Sequence, residues 1–225
     1  MSDLLIKLWQ NGILQLGIWE TIYMTLISTF FAYLIGLPVG LILRMTDRDG
    51  IHPIGWLNRT LGIIVNALRS IPFIILMVAM LPVAKFVVGT SLGNRAVIVT
   101  LVIAAAPYVA RMVESAAKEV DAGVIEAAQS MGASTWQIVY KVYLKEGLPS
   151  LLRGVPIAII TILGYSAMAG AVGAGGLGDI AIRYGYQRYQ DDVMIATIVI
   201  LIVLVQVVQS VGNLLVRSLD KRMHA

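Results

Sequence analysis

The stretch VIEAAQSMGASTWQIVYKVYLKEGLPS (residues 124–150) carries the signals of two short helices between long apolar runs. Asp121 can cap the first helix, and Gly132 stands where a glycine in the left-handed conformation ends one. Ser134 and Gln137 form the S-x-x-Q pattern of a capping box, so a second helix is predicted to begin there. The stretch is therefore predicted to fold as a helical hairpin outside the lipid.

The first of these two helices has a small apolar face. By the i, i+3, i+4 rule this face holds Val124, Ala127, Ala128 and Met131. Glu126, near the helix start, suits the positive end of the helix dipole. A face made mostly of alanine packs weakly against its own bundle but lets another backbone come close. Two interpretations stay open: the helix lies against its own protein, or another protein binds it.

The rest of the chain has the composition of an integral membrane protein. Of its 225 residues, 58% are hydrophobic and 13% charged, whereas soluble domains carry about 25% charged residues. Three apolar runs are long enough to cross about 30 Å of hydrocarbon, and two shorter runs can complete a crossing with their flanking turns, which predicts five spans in a single transmembrane domain covering residues 1–225. The spans lie at about 18–43, 64–86, 95–113, 151–172 and 192–216, and the hairpin lies in a loop at about 114–150. We therefore expect an all-α membrane protein.

Basic residues indicate how the spans are oriented. Most of the 17 Lys and Arg residues lie in segments 44–69, 111–153 and 217–225. The positive-inside rule places those segments in the cytoplasm, so we expect the N-terminus outside and the C-terminus in the cytoplasm. The start of the chain lacks a basic region followed by a short apolar core and a cleavage site, so no removable signal peptide is expected.

The polar residues form no catalytic or metal-binding pattern. The chain has no cysteine, and its two histidines, His52 and His224, are too scattered for a metal site. No Gly-Lys dipeptide occurs, so a Walker A loop for nucleotide phosphates is excluded. No nucleophile or acid–base pair stands out at membrane depth, which argues against an enzyme. A secondary transporter would normally show internal repeats and an ionisable residue within the membrane, and the sequence shows neither.

Glycines crowd the end of the fourth span: Gly164, Gly170, Gly173, Gly175, Gly176 and Gly178. Each glycine lowers helix propensity by about 1 kcal/mol relative to alanine, so this span is predicted to unwind or bend near Gly173. Tight helix packing is the alternative, and both can hold. Irregular backbone at membrane depth requires surrounding protein or a water-filled cavity. Tyr165, Ser166 and Met168 lie in this span, just before its glycine-rich end.

Several stretches resemble one known family. EAAQSMGA (126–133) resembles the cytoplasmic EAA loop of permease subunits in bacterial ATP-binding-cassette (ABC) importers. Four others are similar to the methionine importer permeases of that class: RSIPFIILM (69–77), VGTSLG (88–93), AAAPYVARMVE (104–114) and GYSAMAGAVGAGGLG (164–178). The resemblance covers about residues 18–217. In the family a proline usually follows the leucine that is Leu144 here; Lys145 stands in its place, which predicts a second hairpin helix that runs further toward the membrane.

The resemblance implies the type I ABC importer permease fold, in a homodimer of five-helix subunits in the bacterial inner membrane. Two partner ATPase subunits would bind ATP and Mg, and a methionine-binding lipoprotein would dock from outside. This chain would bind no cofactor and no nucleic acid. The residues that would couple it to the ATPase are Glu126, Ala127, Ala128, Met131 and Gly132.

For the pathway, the resemblance implies that Tyr165, Ser166 and Met168 pass a thioether amino acid without holding it tightly. Their hydroxyl pair and soft apolar side chain suit that task. Arg69 is interpreted as an interface anchor rather than a substrate contact. A permease for polar amino acids in the same importer class is the alternative, because its architecture and EAA loop would look alike.

Overall fold

The computed structural model describes residues 3–219, which fold as helices joined by short turns. In chain order the helices are α1 (Asp3–Gln10), α2 (Ile13–Thr46), α3 (Gly55–Ser70), α4 (Phe73–Val88), α5 (Asn94–Lys118), α6 (Ala122–Ser130), α7 (Thr135–Ile138), α8 (Leu144–Glu146), α9 (Leu148–Ala169), α10 (Gly176–Ile180) and α11 (Asp191–Leu219). Two π-helical turns, Val139–Tyr143 and Ala181–Tyr186, and a 3-10 turn, Gly170–Val172, complete the helical structure. Within the described residues, four segments are apolar and long enough to cross a membrane, or up to five if α3 and α4 count as one span.

Helix α5 lies at the centre of the bundle. In its most apolar stretch 67% of the residues are buried, compared with 11% in α11, which leaves most of α11 facing outward. Helix α2 packs closely against α5 because Gly36 and Gly40 present no side chain there. A Cβ added at Gly36 would lie 2.7 Å from the Cβ of Val109, closer than packed carbon atoms allow.

The segment 64–86, predicted as one span, is bent. Helix α3 ends at Ser70, α4 begins at Phe73, and their axes meet at 112°. Ile71 is extended, with φ −82° and ψ 127°, because the ring of Pro72 disfavours helical backbone in the residue before it. Pro72 therefore marks a bend that divides this segment into two shorter helices.

The glycine-rich end of α9 unwinds where the sequence predicts it. The 3-10 turn Gly170–Val172 leads into Gly173, whose φ of +77° lies in the left-handed region. The chain then turns back on itself, and the backbone of Gly178 packs directly against Gly170, leaving no room for a Cβ. Unwinding and tight packing both hold, so neither of the two interpretations excludes the other.

The returning segment is bonded to helix α2. A carboxylate oxygen of Glu20 accepts the Gly176 N–H at 2.7 Å, and the hydroxyl oxygen of Thr21 accepts the Leu177 N–H at 2.9 Å. These two N–H groups open α10 and have no partner within that helix. Side chains of α2 thus replace the backbone acceptors that the broken span lacks.

Two substitutions of Glu20 should separate the contribution of its hydrogen bond to stability from the contribution of its charge. Glu20→Ala leaves the Gly176 N–H without its acceptor and should destabilise the fold by about 1–3 kcal/mol. Glu20→Gln keeps an acceptor oxygen and should recover most of that loss. Thermal unfolding midpoints of the purified protein in one detergent measure both variants. Equal midpoints for Glu20→Ala and the unmodified protein would show that the contact does not stabilise the break.

Candidate functional site

The hairpin, residues 121–147, begins with the predicted caps. The Asp121 carboxylate accepts the Gly123 N–H at 2.7 Å. At the end of α6, Gly132 has φ +77°, its N–H donates to the Gln129 carbonyl at 2.9 Å, and the Ala133 N–H donates to the Ala128 carbonyl at 3.0 Å. Those two bonds define a Schellman motif, so the predicted glycine stop is confirmed.

The second arm of the hairpin is helical from Thr135 to Glu146. Ser134 and Gln137 form the predicted capping box, with both reciprocal hydrogen bonds present. The helix continues through the π-helical turn past Leu144, as the lysine in place of the family proline predicts. A buried row fixes this arm to the bundle: Ile138, Val139, Val142 and Tyr143.

The inward face of α6 differs from the face predicted for it. Ile125 and Ala128 are buried, with 7% and 8% of their surface exposed, whereas Met131 is 82% exposed. The predicted face left out Ile125. The large side chain of Ile125 packs into the bundle, and Ala128, which lies on the same side of the helix, is buried with it. Of the predicted coupling residues, the structure therefore places Ala128 inside, and leaves Glu126, Ala127, Met131 and Gly132 on the outer surface.

The outer surface of the hairpin carries exposed large side chains that the sequence analysis missed. Trp136 and Tyr140 are 77% and 64% exposed, and they lie one helical turn apart on the second arm. Together with Met131 they give the hairpin an apolar, aromatic surface, which is typical of a protein contact. The signal available in the sequence was the i, i+4 spacing of two aromatic residues in a helix outside the apolar runs.

An ion-pair chain joins the base of the hairpin to the bundle. Lys118, at the end of α5, contacts the carboxylates of Asp47 and Glu114, each at 2.9 Å. Glu114 is buried, and it also pairs with Arg111 at 2.6 Å; Arg111 in turn donates to the Asn66 side-chain oxygen at 3.0 Å. The hydrogen bond from Lys118 holds the pKa of the Asp47 carboxyl below its usual value. The chain links the ends of α2 and α5 to α3.

A second set of contacts fixes the second arm. The Arg44 guanidinium carbon lies 5.6 Å from the ring centre of Tyr143, and a guanidinium N–H of Arg44 donates to the Asp49 carbonyl at 3.1 Å. Burial raises the pKa of the Tyr143 phenol, and the Arg44 charge opposes that rise. Ser150 donates to the Glu119 carboxylate across the mouth of the hairpin. The hairpin is therefore attached to α2, α5 and α9.

The three candidate gate residues do not form one surface. Ser166 is buried and donates to the Leu163 carbonyl of its own helix at 2.8 Å, while Met168 is 53% exposed. Tyr165 stacks on Phe73 with ring centres 4.4 Å apart and ring planes within 2°. The predicted hydroxyl pair of Tyr165 and Ser166 is therefore corrected: successive residues on a helix point about 100° apart, and Ser166 is turned inward.

The class of protein follows from these features. A bundle of apolar helices with an exposed helical hairpin has the fold of a permease subunit of a type I ABC importer. Residues 36–225 match the family model described as binding-protein-dependent transport system inner membrane component, and the chain belongs to that family. It is a multi-pass inner-membrane transport subunit.

Particular relatives are similar over most of the chain. The probable D-methionine transport system permease protein MetI of Vibrio cholerae serotype O1 is 51% identical over 212 residues, 94% of each chain. The D-methionine transport system permease protein MetI of Escherichia coli K12 is 52% identical over 154 residues, 68% of this chain and 71% of that one. A solved inward-facing structure of the MetNI methionine ABC transporter is 48% identical with a TM-score of 0.92, covering 98% of this chain and 100% of the matched chain.

Gly132 offers a test of the hairpin turn. A Cβ added there meets nothing within 4 Å, so Gly132→Val acts through its left-handed backbone rather than through a clash in this chain. Strain on the order of 1–2 kcal/mol should lower the population of the native turn about tenfold. Gly132→Asn, which tolerates that conformation, is the matched control.

We expect Gly132→Val to reach the membrane normally but to lose most ATPase binding and uptake, and Gly132→Asn to retain both. Membrane abundance, ATPase pull-down and uptake are measured in one preparation. Full uptake by the valine variant would mean that the hairpin is only a connector.

Proposed function

We propose that this chain forms the translocation pathway of an ABC importer for both D- and L-methionine. The relatives and the solved structure described above are named for methionine transport, and about half of their aligned residues are identical to those of this chain. This similarity supports methionine over the polar amino acid alternative. The chain acts as a homodimer, and a methionine-binding lipoprotein delivers the substrate from outside.

The exposed surface of the hairpin is the observation that supports the importer function, because it offers a contact for an ATPase. Met131, Trp136 and Tyr140 are open to contact, while the opposite side of the hairpin is packed against its own bundle. Two partner ATPase subunits, which bind ATP and Mg, contact this surface. Glu126, Ala127 and Gly132 belong to the coupling contact, and Ala128 supports it from inside. Because the hairpin base is bonded to α2 and α5, movement of an ATPase subunit is transmitted to the bundle.

Uptake by a reconstituted complex tests the substrate. Vesicles holding the permease, its ATPase and its binding protein should accumulate radiolabelled methionine when ATP is supplied. An excess of unlabelled D- or L-methionine should abolish the signal, and histidine or glutamine should leave it unchanged. Vesicles with an ATPase that cannot hydrolyse ATP are the control. ATP-dependent uptake of radiolabelled histidine or glutamine by the same vesicles, without uptake of methionine, would establish the polar amino acid alternative.

Met168 is proposed as a gate residue, because it is half exposed and lies directly before the break in the fourth span. In the same vesicles, Met168→Ala should change the uptake rate or the basal ATP hydrolysis while the complex still assembles. Met168→Leu keeps an apolar side chain of similar volume and should behave like the unmodified protein. Unchanged rates in the alanine variant would remove Met168 from the gate.

The proposed orientation places the hairpin in the cytoplasm and the glycine-rich break near the outer surface. Most basic residues then lie inside, with Lys7, Lys85, Arg95, Arg183 and Arg188 outside. Residues 217–225, which contribute to this count, include a C-terminal part, 220–225, outside the described residues. The whole of 1–225 is proposed to form one transmembrane domain, with its crossings near the predicted spans.

Reporter fusions test this orientation. A cytoplasmic reporter fused after Ala225 should be active, and a reporter of the outer compartment inserted in the exposed turn at Arg188–Tyr189 should be active there. The same two reporters exchanged between the sites should both be inactive. The reverse pattern would place the hairpin outside, where no ATPase can reach it.

A further inference from the structure

A cavity of about 150 Å³ lies beside the break between α3 and α4. Arg69, Tyr108 and Tyr165 line it together with Phe73 and Leu76. The cavity combines one charged group, two phenols and an apolar wall made by the stacked rings of Phe73 and Tyr165. None of these residues belongs to the hairpin or to the ion-pair chain at its base.

The cavity lies beside the middle of α5 rather than at its end, and it opens to the surface of this subunit, where Arg69 is exposed. Tyr108 is roughly 21 Å along α5 from Asn94 and roughly 15 Å from Lys118, at 1.5 Å per residue. Arg69 shares the cavity with Tyr108, so its charge sits at a similar depth. An arginine at such depth faces the bundle interior or a water-filled space rather than lipid.

The surroundings of Arg69 differ from those of the neighbouring arginines. Arg111 is paired with Glu114, and Arg44 donates to the Asp49 carbonyl. Among residues 3–219, no carboxylate lies within ion-pair distance of Arg69. Helix α4 begins at Phe73, so its positive N-terminal end adds to the field of the guanidinium in the cavity. The cavity therefore favours an anion, beside a surface that favours an apolar group.

We propose that this cavity is a transient subsite for the amino acid in transit. The guanidinium of Arg69 binds the α-carboxylate through paired hydrogen bonds, and the rings of Phe73 and Tyr165 contact the side chain. A thioether suits that wall because sulfur interacts favourably with aromatic rings. This inference rests on the proposed function for the identity of the side chain, but the carboxylate contact applies to any amino acid substrate.

Binding to the complex without its binding protein tests the subsite. The permease–ATPase complex in lipid nanodiscs is incubated with radiolabelled L-methionine at millimolar concentration. Unlabelled L-methionine and methioninol, which lacks the carboxylate, then compete for the site. For the unmodified complex we expect methionine to compete roughly tenfold better or more, as a hydrogen-bonded charge pair implies.

Arg69→Gln should remove this preference, and Arg69→Lys should keep part of it because the charge remains. Arg59→Gln is the matched control: Arg59 is an exposed arginine on the same helix and does not line the cavity. Membrane abundance and basal ATP hydrolysis confirm that each variant assembles. A preference for methionine that survives in Arg69→Gln, or the absence of saturable binding to the unmodified complex, overturns the proposal.

The two proposals fail in distinguishable ways. If the complex takes up methionine but Arg69→Gln keeps the preference, the subsite is wrong and the methionine importer stands. If the complex takes up a different amino acid, the methionine assignment is wrong. The same competition, run with that amino acid and its amino alcohol, then decides whether Arg69 binds the carboxylate.

Discussion

Backbone N–H groups that leave a helix within a bilayer need other acceptors, and helix α2 supplies them here. Glu20 and Thr21 accept the first N–H groups of α10, where the fourth span turns back on itself. Without such acceptors the glycine-rich break could not persist at the edge of hydrocarbon. The break ends α9 at Ala169 and turns the chain back against it. One long helix therefore makes an irregular span possible.

The same helix also supports the opposite end of the bundle. Asp47 pairs with Lys118, directly after the end of α2, and Arg44 lies over the ring of Tyr143. Helix α2 thus contacts the hairpin at one end and the glycine-rich break at the other. In the proposed mechanism, a displacement of the hairpin would reach the break through α2 and its partner α5, because packed helices deform little along their length. The cavity at Arg69 lies between those two ends.

Local features of this fold could be predicted from the sequence. The caps at Asp121 and Ser134 and the stop at Gly132 depend on residues within one turn of each other, and the structure contains all three. The unwinding at Gly173 follows from backbone propensity alone. These features are encoded by neighbouring residues, so one chain without relatives is enough to find them.

Features that depend on distant residues could not be predicted. The inward turn of Ala128 follows from how Ile125 packs in the folded bundle, and the stacking of Tyr165 on Phe73 joins two helices far apart in sequence. The pairing of Asp47 with Lys118 is of the same kind. Periodicity identifies which residues share a helix face but not which face turns inward.

Contact between the hairpin and an ATPase can be measured directly, because the chain has no cysteine and a single introduced thiol is unique. Met131→Cys, at a position 82% exposed, is labelled with a photoactivatable maleimide in the assembled complex and illuminated. Phe86→Cys, at a position 91% exposed near the other end of the bundle, is the control. We predict an adduct of permease and ATPase from Met131→Cys and none from Phe86→Cys. No adduct from Met131→Cys, or equal adducts from both, would contradict a coupling role for the hairpin.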